Sequence, residues 1–290
     1  MTTVVCNQED SQMGRTIFEE FTTVVALKEQ MHITNPVWLD FLQHLRVGHV
    51  QEDHVAMLRT LVLTNPKSHH INFGTPPWSN ALLITPHHAV RWIWNDTALR
   101  KHGKEALCMI LEFHAEDTIK GEPLTLGKHY AALLRHQRTD LKQCRQELPE
   151  VVRLAYGMKV MVTQNVETVL DITNGAQGII VDIWLHPEEP PFNQQQPITK
   201  LKYVPVCILM KLDRTRATQL NNLEESIIPV EPTCKPYRIT CQTAEGKYVT
   251  HTVRRCQFLV TAAYAFTDYR SQGQTIPAVV VDIATPPTGA

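Results

Sequence analysis

The sequence predicts an α/β fold: a parallel sheet with flanking helices, carrying an inserted small β-barrel. Three observations carry that reading. Apolar strand, helix and apolar strand follow one another in "SNALLIT", "PHHAVRWIWNDTALRKHG" and "ALCMILEFHAED", the pattern of a βαβ unit in a covered parallel sheet. Near the end, "AYAFTDYRSQGQTIPAVVVDI" (263–283) reads as two apolar strands around a polar segment, and these strands extend the same sheet. Between the two regions, from about Gly157, short strands alternate with turns, which suits a small barrel.

Taken in chain order, the first clear helix is "NPVWLDFLQHLRVG". Asn35 can cap it, Pro36 suits its first position and Gly48 its exit. Val37, Phe41, Leu42 and Leu45 fall on one face. A second amphipathic segment, "EDHVAMLRTLVL", follows. The helix of the βαβ unit is expected to end before Gly103. In the β-rich part, "GMKVMVTQNV", "NGAQGIIVDIWL", "PVCILMKL", "YRITC" and "YVTHTVRRCQ" read as strands, and "PEEPPFNQQQP" (187–197) as a loop. Asn174-Gly175 predicts a tight hairpin turn, because both central residues of a primed turn need positive φ. No internal repeat is evident.

Composition bounds the function classes. The chain has 290 residues, 43% hydrophobic and 20% charged, which is a globular composition. It contains no apolar run of the ~18 residues that a membrane span needs, and "MTTVVCNQED" lacks the features of a secretory signal. The seven cysteines are scattered, never in a C-x-x-C pair, which predicts a reducing compartment and no zinc site. The histidine doublets His69-His70 and His87-His88 lack a third ligand at sensible spacing, so no metal is expected. With a formal net charge of −1, a broad nucleic-acid-binding face is excluded, and any such contact must use a local groove. "RHQRTDLKQCR" (Arg135, Arg138, Lys142, Arg145) and "KLDRTR" (Lys211, Arg214, Arg216) are candidates, but each stretch contains an Asp and reads equally as a solvated face.

The polar segment near the end is the strongest candidate site. "DYRSQGQT" is eight residues long, against about 2–6 for a plain connection. It is rich in donors, and Gly273 lets a ligand approach the backbone.

Several segments, in order, resemble the Pif-family DNA helicases of superfamily 1B, most closely the Helitron-like branch abundant in fungal genomes. "GRTIFEEFTTVVALKEQMHITNPVWLDFLQHLRVG" resembles the end of the first RecA-like domain and the entry to the second. "GMKVMVTQNVETVLDITNGAQGIIVDI" resembles the family's G-x-x-V-M stretch, and "PVCILMKLDRTRATQL" a strand of its inserted β-domain. "AYAFTDYRSQGQT" resembles helicase motif V, roughly T-x-H-K-S-Q-G-Q-T in the family. The resemblance implies a RecA-like, P-loop NTPase-type second helicase domain over 31–155 plus 256–290. A remnant of the first domain would occupy 1–30, and the inserted β-barrel 156–255. It also implies that Thr267, Tyr269, Arg270 and Ser271, with Thr85, face the DNA backbone, and that Gly273, Gln274 and Thr275 face the nucleotide. Short hydroxyl and amide donors with exposed backbone N–H groups suit phosphate oxygens. Tyr269 stands where the family commonly has His, and Arg270 where it has Lys; both can still contact DNA. Without the resemblance, the segment reads as a polar loop capping two core strands.

Parts of the family pattern are missing. The one near-match to G-x-x-x-x-G-K-[ST] is "GEPLTLGKH" (121–129), with one residue too many between its glycines and His129 in place of the hydroxyl. It is expected to be coincidental and not to lie between a strand and a helix. The family's acidic magnesium-binding motif would precede residue 1, and its final arginine motif would follow residue 290. After "LKEQM", His32 stands where an arginine normally reaches the γ-phosphate, and a mostly neutral imidazole cannot replace that clamp. ATP and magnesium are thus expected in the intact family member and not in this chain alone, which should not hydrolyse ATP. The expected partners are single-stranded DNA and a first RecA-like domain, in the nucleus, with no membrane. Two readings stay open: part of an ATP-dependent 5′→3′ helicase, or a non-catalytic single-strand-binding module or transposon-derived remnant. The family's roles are repair, recombination, telomere maintenance and rolling-circle transposition.

Overall fold

A computed structural model describes residues 8–284 apart from 24, 26–32, 69, 139–147, 170–171, 194–195, 217–218, 221, 243–245 and 272–275. The chain forms two compact units, Met1–Ile71 and Asn72–Ala290.

The first unit is helical: α1 (Gln8–Glu19), α2 (Pro36–Arg46) and α3 (Glu52–Thr60). The expected start of α2 is present, with Pro36 in its first turn and Asn35 Oδ1 accepting from Trp38 N at 3.0 Å. Gly48, at φ 75°, takes the left-handed position just past its end. The apolar face is only partly used, since Phe41 is buried while Val37 and Leu45 are exposed.

The second unit is mixed α/β. Strand β1 (Leu82–Ile84) leads to α4 (His88–Glu105), and then to β2 (Ile110–His114), β3 (Glu116–Ile119), β4 (Glu122–Pro123) and α5 (Leu126–Arg138). The β-rich part contains β5 (Val151–Ala155), β6 (Lys159–Val162), β7 (Gln177–Trp184), β8 (Ile198–Lys200), β9 (Cys207–Leu212), β10 (Ile227–Val230), β11 (Thr233–Gln242), β12 (Tyr248–Gln257) and β13 (Val260–Ala262). The chain then runs through β14 (Ala265–Phe266), α6 (Asp268–Ser271) and β15 (Val279–Val281).

The strands flanking the polar segment do join β1 in one parallel sheet, in the order β14-β1-β15. Leu83 pairs with Ala265 on one side and Val280 on the other. The expected partnership of β1 with β2 is absent among the described residues. β2 pairs instead with β5, antiparallel, and β8, parallel. Alternating elements predict a βαβ unit, but long-range pairing decides which sheet a strand enters. α4 also runs two residues past Gly103. A Cβ there would stand 3.2 Å from the Cys108 carbonyl and 3.3 Å from Ile110 Cγ1, so this glycine serves helix–strand packing rather than termination.

The strands expected to form a barrel lie in open sheets, and none closes on itself among the described residues. One antiparallel sheet runs β10-β9-β7-β6-β13, and another runs β11-β12-β3-β4. Gly175 has φ 94° but Asn174 keeps a negative φ; the chain from β6 to β7 is a longer loop rather than a two-residue primed turn. Gly178 is required where β7 crosses β9, because a Cβ there would lie 2.2 Å from the Lys211 carbonyl oxygen. The main core packs Phe113, Leu154, Met158, Val160, Ile180, Ile208, Met210 and Phe258 between these layers. Cys234 and Cys256, opposite one another on β11 and β12, are joined by a disulfide, a pairing that the cysteine spacing does not announce.

Candidate functional site

The site is built where the β14-β1-β15 sheet ends. β1 and β14 run in register, so Thr85 and Thr267 each follow the last paired residue, Ile84 and Phe266. Thr85 N donates to the Phe266 carbonyl at 3.1 Å. Its hydroxyl donates to Asp282 Oδ2 at 2.7 Å and accepts from His87 N at 3.1 Å. Asp282 is held in turn by its own N–H on the Ile84 carbonyl, 2.8 Å, and by Ala284 N on Oδ1, 3.0 Å. The Thr85 hydroxyl and the Ala284 N–H hold the Asp282 carboxyl below its ordinary range. Thr85 is thus a strut tying β1 to the segment after β15, with 0% of its surface exposed.

Thr267 is buried, and its carbonyl accepts from Arg270 N at 2.9 Å and Ser271 N at 3.3 Å, opening α6. Ser271 Oγ donates to the Asp268 carbonyl at 2.7 Å. Tyr269 points outward at 74% exposure. Arg270 is half-buried, and burial lowers the proton affinity of its guanidinium. Thr85, Thr267, Tyr269, Arg270 and Ser271 therefore share one end of the sheet, whereas Gly273, Gln274, Thr275 and His32 lie outside the described residues. The carboxyl end of parallel strands is where α/β folds place ligands.

The length of the polar segment has a structural cause as well. β14 and β15 are parallel and separated by β1, and a connection between parallel strands takes about a dozen residues. Length alone is therefore no mark of a site here; the donors and the strand-end position are.

One residue not singled out in the sequence shapes this corner. Asn95, buried on α4, accepts from Tyr264 N at 3.0 Å and Ala265 N at 2.8 Å, and donates to the Ala265 carbonyl at 3.2 Å. An Asn inside the apolar helical run "WIWN" is the one signal that could have found it.

The near-match at 121–129 is no phosphate loop. Gly121, at φ 90°, sits in the β3–β4 turn, Glu122–Pro123 is a strand, and Gly127 and Lys128 belong to α5. The segment does precede a helix, contrary to the sequence reading, but no loop of free backbone N–H groups spans its two glycines. Lys211, Arg214 and Arg216 are exposed, and the side chains of the other basic stretch (135–145) lie outside the described residues.

Asp40, His44 and His54, in the helical unit, bring potential metal-ligating atoms within 4.8 Å of one another. All four ring nitrogens already have partners. His44 Nδ1 donates to the Asp40 carbonyl at 2.9 Å, and Nε2 accepts from Gln51 Nε2 at 3.2 Å. His54 Nδ1 accepts from Gln51 N at 3.3 Å, and Nε2 donates to Asp40 Oδ2 at 2.8 Å. The network closes on every ring nitrogen, and a metal on either ring would break one of these bonds. It reads as a tie between α2 and α3.

No protein-family model matches the chain, and no curated protein sequence matches it significantly. Solved structures do. Pif1 helicase from Bacteroides, in complex with ADP-AlF3 and single-stranded DNA, superposes with a TM-score of 0.54 at 16% identity, covering 98% of this chain and 54% of that one. Bacteroides Pif1 bound to single-stranded DNA gives 0.53 at 16% identity, covering 93% and 52%. Pif1 helicase from Candida albicans gives 0.52 at 19%, covering 89% and 50%. The chain thus has a Pif1-helicase-like fold that spans about half the length of those proteins.

Proposed function

We propose that the chain is a portion of an ATP-dependent 5′→3′ DNA helicase: its second RecA-like domain with the inserted β-domain, coupling nucleotide state to movement along single-stranded DNA. The observation that carries this reading is the corner at the carboxyl end of β14-β1-β15, where Tyr269 faces outward beside the half-buried Arg270. In this reading Arg270 takes a phosphate and Tyr269 stacks on a base. Ser271 lies alongside, and Thr85 and Thr267 fix the strand ends that aim them. Gly273, Gln274 and Thr275 would face the nucleotide. ATP and magnesium would be held mainly by a first RecA-like domain, because the sequence contains no G-x-x-x-x-G-K-[ST] stretch. That two of the similar structures carry single-stranded DNA, one of them with ADP-AlF3, supports the reading. A nuclear location, with roles in repair, recombination, telomere maintenance or transposition, follows from the sequence resemblance alone. That the sequence holds no G-x-x-x-x-G-K-[ST] stretch favours a second reading for the chain by itself, a non-catalytic single-strand-binding module or helicase-derived remnant.

The test is binding of a labelled oligo-dT to the purified chain over a salt series. Affinity should fall with salt, by a slope of about 0.7 per phosphate contact for single strands. Arg270→Ala should weaken binding about tenfold and flatten that slope. Salt-independent binding, or an Arg270→Ala variant that binds like the parent, overturns the assignment. ATP hydrolysis by the chain alone would overturn the division of labour between two domains.

A further inference from the structure

The antiparallel sheet β10-β9-β7-β6-β13 meets the parallel sheet through Met161, which packs with Leu82, Ala263 and Phe266. Beside that contact, at the amino end of β1, lies a cavity of about 260 Å³. Leu82, Ile179, Ile276 and Ala278 form its apolar wall, and Asn80, Lys159, Gln177 and Asp213 bring polar groups to it.

Strand register explains why these side chains converge. Lys159 lies opposite Ile179, and Gln177 lies opposite Met161. Asp213, just past β9, donates its N–H to the Gln177 carbonyl at 3.0 Å. Lys159, Ile179, Gln177 and Asp213 therefore share one face of the antiparallel sheet. Lys159 Nζ donates to Asn80 Oδ1 at 3.4 Å, a long bond that uses one of three ammonium protons. Asp213 stands two strands away from Lys159, about 10 Å by strand spacing, and no ion pair joins them. A cation and an anion thus line different sides of one apolar cavity.

Size and polarity bound the ligand. An apolar cavity of ~150 Å³ takes up benzene, and drug-sized molecules occupy ~300–1,000 Å³. A space of 260 Å³ suits one substituted ring system. That ring needs an acceptor on one edge for the Lys159 ammonium and a donor on another for the Asp213 carboxylate. Cytosine and adenine combine ring acceptors with an exocyclic amine. In thymine the free donor is a ring N–H flanked by two carbonyls, which would face the carboxylate.

We propose that this cavity binds a nucleobase bearing an exocyclic amine, with Asp213 accepting from the amine and Lys159 donating to a ring acceptor. Tyr269 and Arg270 lie at the other end of the parallel sheet, so the site is separate from the proposed DNA contact and does not depend on it. A free nucleoside and a base of a DNA strand offer the same chemistry, and the experiment separates these sources.

The purified full chain, Asp213→Asn and Ile179→Trp are titrated with cytidine, adenosine and thymidine by saturation-transfer NMR. Oligo-dC and oligo-dT binding is followed by fluorescence anisotropy, and thermal unfolding checks that each variant is folded. Cytidine and adenosine should bind the parent at least about tenfold more tightly than thymidine. Asp213→Asn should shift the preference toward thymidine, because its amide can donate to a carbonyl. Ile179→Trp fills the cavity and should lose nucleoside binding. An oligo-dC preference over oligo-dT that disappears in Ile179→Trp would support the site with the DNA strand as the source. Cytidine binding without any oligonucleotide preference would support it with a free nucleoside as the source. Failure of the parent to bind oligo-dT removes the DNA contact at the sheet end and leaves the nucleoside titration to decide. Equal affinity for cytidine and thymidine in the parent would overturn the proposal, as would the lack of both nucleoside binding and an oligonucleotide preference. Cytidine binding unchanged in both variants would overturn it too.

Discussion

The β-rich core and the end of the β14-β1-β15 sheet use their arginines in different ways. In the core, charges that leave water are matched. Arg255, with 4% of its side chain exposed, clamps Asp117 through Nε–Oδ1 at 2.8 Å and Nη2–Oδ2 at 2.7 Å, joining β12 to β3. Tyr237 donates to the same carboxylate at 2.9 Å, and burial above all raises the pKa of that phenol. Arg153 bridges Glu112 and Asp96, each at 2.7 Å. At the sheet end, by contrast, Arg270 is half-buried beside the exposed Tyr269, and burial lowers the proton affinity of its guanidinium. Matched charge in the core serves the fold; the arginine and tyrosine at the sheet end are the pair that the proposed DNA contact uses. Stability and binding thus draw on the same residue type in different surroundings.

Breaking the matched side gives the largest effect. Asp117→Asn leaves the Arg255 charge buried without its counter-ion and should destabilise the protein by about 3–5 kcal/mol in urea unfolding. Replacing both partners, Asp117→Leu with Arg255→Met, should recover much of that loss. Equal destabilisation by the single and double changes would mean that the clamp does more than satisfy itself.

Asn95→Ala should have the next largest effect. It removes three hydrogen bonds that hold β14 and leaves two backbone N–H groups unsatisfied, for about 2–3 kcal/mol. Faster hydrogen exchange at Tyr264 and Ala265, relative to β7, would locate the loss; uniform acceleration would show that the contact is not local.

A smaller effect concerns pH. Burial opposes the charged forms of Asp96 and Glu112, but hydrogen bonds and charges outweigh it, from Arg100 and Arg153 at Asp96 and chiefly from Arg153 at Glu112. Both carboxyls are held below their ordinary range. Because the folded pKa lies below the unfolded value of about 4, this stabilisation is present above that pH and is lost as pH falls through the folded values. Arg153→Met should therefore be less stable at neutral pH but lose less on acidification below about pH 4. A parallel acid profile in parent and variant would remove Arg153 from this role. The smallest expected change is Tyr269→Ala, which should weaken oligo-dT binding without altering its salt slope.

What the sequence made legible was local. The Asn35 cap with Pro36 and the apolar strands around the polar segment follow from neighbours in the chain, whereas their union with β1 is a distant pairing that the alternation of elements suggested. The misses are questions of distant partners. β2 entered another sheet, Gly103 proved to be a packing contact, and Asn174-Gly175 did not close a tight hairpin. Asn95 acts on residues 170 positions away, which no local pattern reports. The Cys234–Cys256 pair is of the same kind, and it bears on the proposed compartment. In a reducing nucleus all seven thiols should titrate in protein isolated with an alkylating trap, and five would mean that the disulfide persists. At the site, residue types were readable, but the placement of Asn95 against Tyr264 and Ala265 needed the fold.

The most direct measurement is photo-cross-linking of a 5-bromodeoxyuridine oligonucleotide to the full chain, with the attachment point read by mass spectrometry. Cross-links at Tyr269, or within the segment from Ala263 to Ile276, are the expected result, and they should fade with rising salt. Cross-links confined to the exposed strands β11 and β12, with none in that segment, would contradict the placement of single-stranded DNA at the end of the parallel sheet.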